Sequence, residues 1–384
     1  MVTSGTDFRP SMPSMSTLRR RGLLSAAIAL LLLLLPLTAA ALAHRGDGRT
    51  GRPTIYGHRG AAGYRPEHTL ASYRVGARLG ADYIEPDLVS TKDHVLVARH
   101  EPAIGATTDV ADHPEFADRR TTKVIDGVTF ANDWFTEDFT LAELKTLRAK
   151  ERLPDLRQRN TIYNGRYTIP TFQEVIDVRN ELSRELHRRI GLVPELKHST
   201  YFRSIGLPLE EPFVRTLRRN HIDGRRGKVT VQSFETGNLK ALDRRLPGVP
   251  LVQLFDAKDK RPGDVLAAGG TTTYGDLATP AGLRRVAKYA DIASPSKDYI
   301  VPRDPSGRSL APTSFISDAH AAGLEVVAYT FRNENAFLPL ELRSGPDPAA
   351  YGNAIAEYEQ FFRLGVDGVF SDNPDTAKAA RDGE

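Results

Sequence analysis

The chain has 384 residues, of which 40% are hydrophobic and 26% are charged, a balance typical of a globular protein rather than a disordered one. It contains no cysteine, so disulfide bonds, thiolate metal sites and a cysteine nucleophile are excluded. The formal net charge is +4, and no basic run or cluster of aromatic and basic residues indicates nucleic-acid binding.

The N-terminal segment differs in composition from the rest. Three arginines, residues 19–21, precede the apolar run 23–37, and Ala41-Leu42-Ala43 follows it. A basic region, an apolar core and an Ala-x-Ala end predict a signal peptide, residues 1–43, and the arginines are compatible with twin-arginine export. The alternative is an uncleaved anchor, because residues 22–43 are just long enough to span a bilayer. In both cases we expect the rest of the chain to act outside the cytoplasm, in a secreted or periplasmic form.

From Thr54 onward, short β-branched runs alternate with longer amphipathic stretches. The eight strand candidates are Thr54–His58, Tyr83–Leu88, Leu192–Leu196, Val229–Ser233, Pro250–Phe255, Asp291–Ser294, Glu325–Thr330 and Gly368–Ser371. The helical patterns between them include Thr69–Leu79, Phe172–Arg189, Glu211–Asn220, Gly237–Leu246, Pro280–Tyr289, Ser314–Ala322 and Ala354–Leu364.

Eight strand-then-helix units imply parallel strands joined by right-handed crossovers. The sequence therefore predicts an α/β fold, a (β/α)8 TIM barrel over residues 54–380 that follows a linker, 44–53. After cleavage the chain would keep 341 residues, more than the roughly 250 of a typical barrel, so insertions are required. The longest, residues 101–170, follows the second strand and shows no strand–helix alternation beyond a small helix, 141–148. A loop of that length is usually functional, and we expect it over the C-terminal face of the barrel.

The first strand ends in a histidine and an arginine, His58 and Arg59, followed by Gly60, which allows a tight turn. Arginine suits a phosphate because its planar fork donates two hydrogen bonds, and histidine suits proton transfer near neutral pH. Taken alone, the pair could equally be a surface turn.

The second strand places two carboxylates, Glu85 and Asp87, on one face, because strand side chains alternate. Like charges on one face of a barrel repel unless a cation lies between them, although two solvated carboxylates are the alternative. The next apolar run leads to a second histidine, His100, which could complete an acid–base pair or be an ordinary loop residue.

The third strand carries Glu195 and Lys197, again on one face. Glu195 could complete a three-carboxylate site, and Lys197 could neutralise a phosphate; an exposed local ion pair is the alternative. An all-oxygen site selects Ca²⁺ or Mg²⁺ rather than zinc. The coincidence of these residues at three consecutive strand ends predicts a phosphate site with a divalent cation and two histidines.

The same positions resemble the glycerophosphodiester phosphodiesterase family over almost the whole chain after residue 53. The matching segments are His58-Arg59-Gly60, Pro66-Glu67-His68-Thr69, Glu85-x-Asp87-Leu88-Val89-x-Thr91-Lys92-Asp93 with His100, Glu195-Leu196-Lys197, Val231-Gln232-Ser233-Phe234 and Asp367-Gly368-Val369-Phe370-Ser371-Asp372-Asn373-Pro374. The long insertion and the predicted signal peptide resemble the exported branch of that family, which implies Ca²⁺ in preference to Mg²⁺.

The resemblance implies metal-dependent hydrolysis of glycerophosphodiesters to glycerol 3-phosphate and an alcohol. It assigns acid–base catalysis to His58 and His100, metal binding to Glu85, Asp87 and Glu195, phosphate binding to Arg59 and Lys197, support of the first loop to Glu67, and the pocket lining to Gln232 and Phe331. Cell-wall polymers and membrane-derived compounds are further substrate sources. The sequence leaves open the headgroup, the nucleophile and the oligomeric state.

Three other functions were weighed against this one. A phospholipase acting on intact lipids would need an exposed apolar rim, for which Trp134, Phe135 and Phe139 are candidates. A non-catalytic surface protein that binds polyol phosphates would tolerate loss of a histidine or carboxylate, and none is missing. A barrel metallohydrolase with histidine ligands would carry His-x-His on the first strand, which this chain lacks.

Overall fold

The computed structural model describes residues 51–383, so the predicted signal peptide, residues 1–43, lies outside the described residues. From Arg52 onward the chain forms one compact unit. Among residues 51–383, every helix is too short or too polar to cross a membrane.

Within this range the structure has thirteen strands, all but two of which belong to one sheet. In chain order they are β1 Thr54–Gly57, β2 Tyr83–Ile84, β3 Asp87–Ser90, β4 Leu96–Ala98, β5 Thr121–Ile125, β6 Val128–Asp133, β7 Gly191–Leu192, β8 Glu195–Leu196, β9 Val231–Ser233, β10 Leu251–Phe255, β11 Ile292–Pro295, β12 Glu325–Phe331 and β13 Gly368–Ser371.

The α-helices of the same range alternate with the parallel strands. They are α1 Leu70–Arg78, α2 Leu141–Leu144, α3 Phe172–Glu185, α4 Ser199–Ser204, α5 Glu210–Arg219, α6 Thr236–Arg245, α7 Gly263–Ala267, α8 Tyr274–Leu277, α9 Pro280–Val286, α10 Phe315–Ala321, α11 Ala354–Leu364 and α12 Pro374–Asp382.

The sheet closes on itself, which makes it a barrel. The pairs β2–β3 and β7–β8 are each one continuous strand position, interrupted at Pro86 and Pro194, because proline has no N–H for the ladder. β2 pairs with β7, and β3 pairs with β8, in parallel. From β8 through β9 to β13 and back to β1 the strands run in parallel, whereas β4 pairs antiparallel with β3 at the edge of the sheet. The predicted (β/α)8 barrel is thereby confirmed, with all eight strand positions where the hydrophobic pattern put them.

Capping explains why the helices begin where they do. The Thr69 side chain accepts from the Ser72 N–H at the start of α1, and Thr171 forms a capping box with Glu174 at the start of α3. α3 buries Phe172, Val175, Ile176 and three further side chains at helical spacing, so its apolar stripe packs on the barrel.

Alternation along the strands sorts their side chains into two cores. The larger core lies between the barrel and its helices, and a smaller one fills the barrel interior with Tyr56, Val193, Leu254, Phe370 and neighbours. Tyr83 packs against the inner core. Glu85 and Asp87 follow Tyr83 on the same face, and Glu195 follows Val193, so these carboxylates point into the C-terminal mouth of the barrel.

The insertion, residues 101–170, contains a two-stranded hairpin that the sequence analysis did not predict. β5 and β6 pair antiparallel across a two-residue turn, Asp126-Gly127, with φ of +50° and +79°. The small helix predicted over 141–148 is present but ends at Leu144.

Candidate active site

A cavity of about 400 Å³ opens at the C-terminal mouth of the barrel. It is lined by residues from nearly every strand end, namely His58, Arg59, Glu85, Asp87, His100, Glu195, Gln232, Phe234, Leu254, Ser296, Lys297, Asp298, Arg303, Tyr329, Thr330, Arg332, Ala336, Phe337 and Phe370. The fold thus brings together, in one cavity, seven of the ten residues singled out from the sequence.

The three predicted carboxylates form one cluster. Glu85, Asp87 and Glu195 each offer an oxygen, and these oxygens lie within 4.8 Å of one another. Burial and the neighbouring Asp87 charge raise the pKa of Glu85 well above its ordinary value. Burial also raises the pKa of Glu195, to about 8. Ionising these neighbouring carboxylates together is therefore unfavourable unless a cation lies between them.

The donor set fits a divalent cation. Asp87 Oδ1 is buried and has no hydrogen-bond partner among residues 51–383. Such an orphaned carboxylate oxygen is costly unless something outside the protein binds it. Three carboxylate ligands with no imidazole or thiolate favour a hard cation such as Ca²⁺ or Mg²⁺.

Neighbouring side chains fix the orientation of the cluster. Glu85 accepts hydrogen bonds from the Arg59 N–H (2.6 Å) and from Gln232 Nε2 (2.9 Å). His68 Nε2 lies 2.8 Å from Asp87 Oδ2, and the Tyr73 hydroxyl lies 2.9 Å from His68 Nδ1. Although burial alone would raise it, the pKa of Asp87 is held well below its ordinary value, principally by His68. His68 therefore orients a carboxylate rather than facing the cavity.

Arg59 is held by Glu67, as expected of a residue that supports the first loop. Arg59 Nη1 donates to both carboxylate oxygens of Glu67 at 3.0 and 2.9 Å, and Arg152 Nε of the insertion donates to the same carboxylate at 2.8 Å. Arg59 Nε is buried with no hydrogen-bond partner among residues 51–383. The turn depends on Gly60, with φ +93°, because a Cβ there would lie 2.5 Å from the Ser72 backbone.

His58 is buried and directed by an aspartate at the end of β13. Asp372 Oδ1 lies 2.5 Å from His58 Nδ1. The other oxygen of Asp372 accepts from Arg157 Nη2 (2.6 Å) and Arg332 Nε (2.9 Å). Burial lowers the pKa of His58 to about 4, so the ring is neutral at pH 7. With its Nδ1–H directed to Asp372, the neutral ring keeps its Nε2 lone pair available.

His100 is placed at the mouth of the cavity, and its side chain is 30% exposed. Its Nδ1 lies 3.0 Å from Glu101 Oε1. Burial, followed by the charges of Arg59 and Lys197, lowers the pKa of His100. Both histidines are therefore neutral near pH 7.

Lys197 lines an adjoining cavity of about 340 Å³, which shares His100, Glu195, Phe234 and Tyr329 with the first. Its Nζ is 3.1 Å from Glu195 Oε1 and lies over the Phe234 ring. The Glu195 and Glu101 charges raise the pKa of Lys197 even though it is buried.

Phe331 requires a correction, because it does not line the cavity. Its ring is fully buried and packs on Tyr358 at 4.7 Å and Phe361 at 5.0 Å. The pairing of β12 with β13 shifts register between Ala328 and Phe331, which breaks the alternation that would have turned Phe331 inward.

The three aromatic residues that were candidates for a lipid-docking rim are buried rather than exposed. Trp134, Phe135 and Phe139 are 7%, 0% and 0% exposed, respectively. Trp134 and Phe139 belong to the larger core and Phe135 is fully buried, so the three rings offer no surface to a membrane.

Four polar residues around the two histidines escaped the sequence analysis: Asp372, Arg157, Arg332 and His198. Asp372 lies within the closing-strand motif, and its position at a strand end was the signal available. Arg157 and Arg332 come from irregular segments, where no periodicity marks a buried arginine. His198 directly follows Lys197, but only the hairpin shows what it contacts.

Comparison with known proteins agrees with this site. Residues 58–376 match the model of the glycerophosphoryl diester phosphodiesterase family. The chain is 35% identical over 337 residues to glycerophosphodiester phosphodiesterase GDPD6 of Arabidopsis thaliana, covering 84% of both chains. It is 27% identical over 340 residues to the glycerophosphodiester phosphodiesterase of Haemophilus influenzae, covering 84% of this chain and 88% of the relative.

A solved structure shares the fold at lower identity. A phosphodiesterase from Oleispira antarctica, in complex with the product sn-glycerol-3-phosphate, superposes with a TM-score of 0.55 at 20% identity. The similarity covers 86% of this chain and 97% of that chain. It supports the barrel architecture alone.

Proposed function

The chain belongs to the glycerophosphoryl diester phosphodiesterase family and is a glycerophosphodiester phosphodiesterase; from that premise we propose a metal-dependent hydrolysis in which His58 and His100 exchange protons with the substrate. The products are glycerol 3-phosphate and an alcohol. The observation that carries the proposal is the meeting of the carboxylate cluster, Arg59 and both histidines in one cavity.

Metal binding falls to Glu85, Asp87 and Glu195, and Ca²⁺ is the proposed ion. When bound, a divalent cation supplies charge neutralisation to the phosphate oxygens and a template for the glycerol hydroxyls. Arg59 and Lys197 are the proposed phosphate residues. The buried Nε of Arg59 supports that role: it has no hydrogen-bond acceptor among residues 51–383, and Asp87 Oδ2, at 3.9 Å, is too far away to accept one.

The histidines divide the proton transfers. One accepts a proton from the nucleophile as the new P–O bond forms, and the other donates a proton to the alcohol oxygen as its P–O bond breaks. Both rings are neutral in the free enzyme, and the anionic diester beside them raises both pKa values, which favours protonation of the donor. The nucleophile is water or the neighbouring glycerol hydroxyl; a cyclic phosphate intermediate would identify the second.

Residues 1–43 support a proposal about location, namely export and action on extracytoplasmic substrates of membrane or cell-wall origin. Cleavage after Ala43 would leave His44 at the N-terminus. N-terminal sequencing of the exported protein tests this.

The proposed function is tested by release of glycerol 3-phosphate from glycerophosphocholine, with Ca²⁺, with Mg²⁺ and with a chelator. We expect activity with Ca²⁺ and none with chelator. Glu85→Gln should raise the metal concentration needed for half-maximal activity.

His58→Ala and His100→Ala should each lower turnover about 10²–10⁴-fold while leaving the fold intact. His113→Ala is the matched control, since His113 lies in the insertion outside the cavity. Full activity in chelator would refute the metal site, and unchanged turnover of His100→Ala would refute its role. Release from intact phospholipids alone would point to a phospholipase.

A further inference from the structure

A third histidine, His198, does not line the first cavity but lines the adjoining one of about 340 Å³, as Lys197 does. It follows β8 in a left-handed conformation, with φ +49°, and its side chain is 15% exposed. Both ring nitrogens face carboxylates: Nε2 lies 2.8 Å from Glu101 Oε2, and Nδ1 lies 2.6 Å from Asp126 Oδ2. An imidazole between two carboxylates donates from both nitrogens only when it is protonated.

Glu101 connects this histidine to the proposed acid–base pair. One oxygen of Glu101 faces His198, and the other lies 3.0 Å from His100 Nδ1. The carboxylate is therefore fixed from one side and directs the His100 ring from the other. A Glu101 side chain free of His198 would have several rotamers open to it, and the orientation of His100 would follow them.

The far end of the chain of contacts lies in the insertion. Asp126 is the first residue of the hairpin turn between β5 and β6. Its carboxylate lies against Gly263, where a Cβ would come within 2.7 Å of it, so the turn sits directly on the first residue of α7. The hairpin thus reaches the barrel mouth at the point where it can hold His198.

The chain of contacts carries one net negative charge, and the Lys197 ammonium lies near its Glu101 end. The two carboxylates of Asp126 and Glu101 flank one imidazolium, and the second oxygen of Glu101 lies 3.0 Å from His100 Nδ1. Burial would lower the pKa of His198, but the hydrogen bonds to Asp126 and Glu101 outweigh it and raise the pKa to about 9. His198 is therefore charged at neutral pH, unlike the two histidines of the cavity.

We propose that His198 is a positioning residue for His100: held by Asp126 of the insertion hairpin, it fixes Glu101, which directs His100 Nε2 into the cavity. This inference rests on the proposed function, in which His100 transfers a proton. The proposal gives the insertion a part in the reaction, although the insertion contributes no side chain to the carboxylate cluster.

The alternative is that His198 merely fastens the hairpin to the barrel. Both roles predict some loss of stability in His198→Ala, so stability does not separate them. Dependence on His100 does, because a residue that acts only through His100 has no further effect once His100 is removed.

The experiment is a double-mutant cycle on the full chain, with glycerophosphocholine as substrate. We expect His198→Ala to lower kcat on the order of 10–100-fold with KM unchanged. In the His100→Ala background the same substitution should change kcat less than twofold. His221→Ala is the control, because His221 is also a left-handed histidine, with φ +54°, but is not among the residues lining either cavity.

His198→Gln carries the same cycle if the alanine variant fails to fold. Equal losses in both backgrounds, or no loss in the parent, would overturn the proposal. Full activity of His100→Ala alone would instead refute the proposed acid–base role of His100. Because that variant is measured first, failure of the proposed function is distinguished from failure of the His198 proposal.

Discussion

The two histidines of the cavity are held in contrasting ways. The His58 side chain is 11% exposed and is directed by Asp372, which two arginines bind from the opposite side. The His100 side chain is 30% exposed and is directed by Glu101, whose own support is a histidine and a hairpin turn. His58 is therefore directed by a residue at the end of a barrel strand, although Arg157 reaches that residue from the insertion, and His100 is directed by a residue of the insertion itself.

The difference separates a rigid side of the site from an adjustable one. Asp372 follows β13 in the barrel wall, where packing fixes the backbone, and it meets permanent arginine charges. Glu101 lies at the start of the insertion, and its contacts depend on a hairpin whose strand residues are mostly exposed. Sites on strands are more exactly positioned than sites on loops, so disturbance should cost more on the His58 side.

The largest contrast is expected between Asp372→Asn and Glu101→Gln. The arginine donors on Asp372 require an oxygen, so an asparagine there would turn its NH2 toward His58. His58 Nδ1 would then accept, Nε2 would carry the proton, and proton acceptance would fail. A comparable wrong tautomer in the serine-protease triad costs roughly 10⁴-fold, and we expect about 10²–10⁴-fold in kcat.

Glu101→Gln should lower kcat only about 10-fold, because water can reach the partly exposed His100 ring and hydrogen-bond to it in place of the carboxylate. Steady-state kinetics with thermal unfolding of each variant measures the contrast. Equal losses would remove the distinction between the two sides. Loss of folded protein in Asp372→Asn would show as an altered unfolding transition rather than as a lower kcat.

A second contrast lies in the pH dependence of stability. The pKa of His58 is about 4 in the folded protein and ordinarily 6.5, so the folded state holds this ring neutral where the unfolded chain protonates it. Its stabilising contribution is full above pH 6.5 and is lost as pH falls toward 4, up to about 3 kcal/mol. His58→Gln should therefore lose less stability than the parent between pH 7 and 4.5.

Urea unfolding at both pH values measures the loss. His100→Gln serves as the comparison. Burial lowers the pKa of His100 as well, but its side chain is 30% exposed. We therefore expect this substitution to preserve less of the stability at pH 4.5 than His58→Gln does. If the free energy of unfolding fell equally in the parent, His58→Gln and His100→Gln, the lowered pKa of buried His58 would be contradicted.

The barrel side of the site could be predicted from sequence because strand alternation is local. Glu85 and Asp87, two residues apart, had to share a face, and hydrophobic neighbours fixed which face that was. The partners of His58 could not be predicted in this way. Asp372 is 314 residues away, and Arg157 and Arg332 reach it from irregular segments whose path only tertiary packing sets.

Two further failures have separate causes. The family resemblance assigned Phe331 to the pocket, but the pairing of β12 with β13 shifts register before Phe331, whose ring packs in the larger core instead. The hairpin, in contrast, had a readable signal. Asp126-Gly127 between two β-branched runs favours a two-residue turn with positive φ, and it was overlooked because the strands are largely exposed and lack an alternating apolar face.

The smallest effect is expected from Gly127→Ala, which tests whether the hairpin turn supports the His100 side alone. Gly127 has φ +79°, where an L side chain costs about 1–2 kcal/mol, and an added Cβ would meet Leu266 at 3.1 Å. The strain should loosen the turn that carries Asp126, lowering kcat a few-fold and speeding amide exchange in β5 and β6. Gly165→Ala is the matched control, since Gly165 has φ +76° in the same insertion, and no atom of residues 51–383 lies within 4 Å of its Cβ position. Both variants carry the same backbone strain, so a fall in kcat confined to Gly127→Ala would trace to its position. Equal falls would mean that the insertion acts as a whole and that the turn holds no special link to His100.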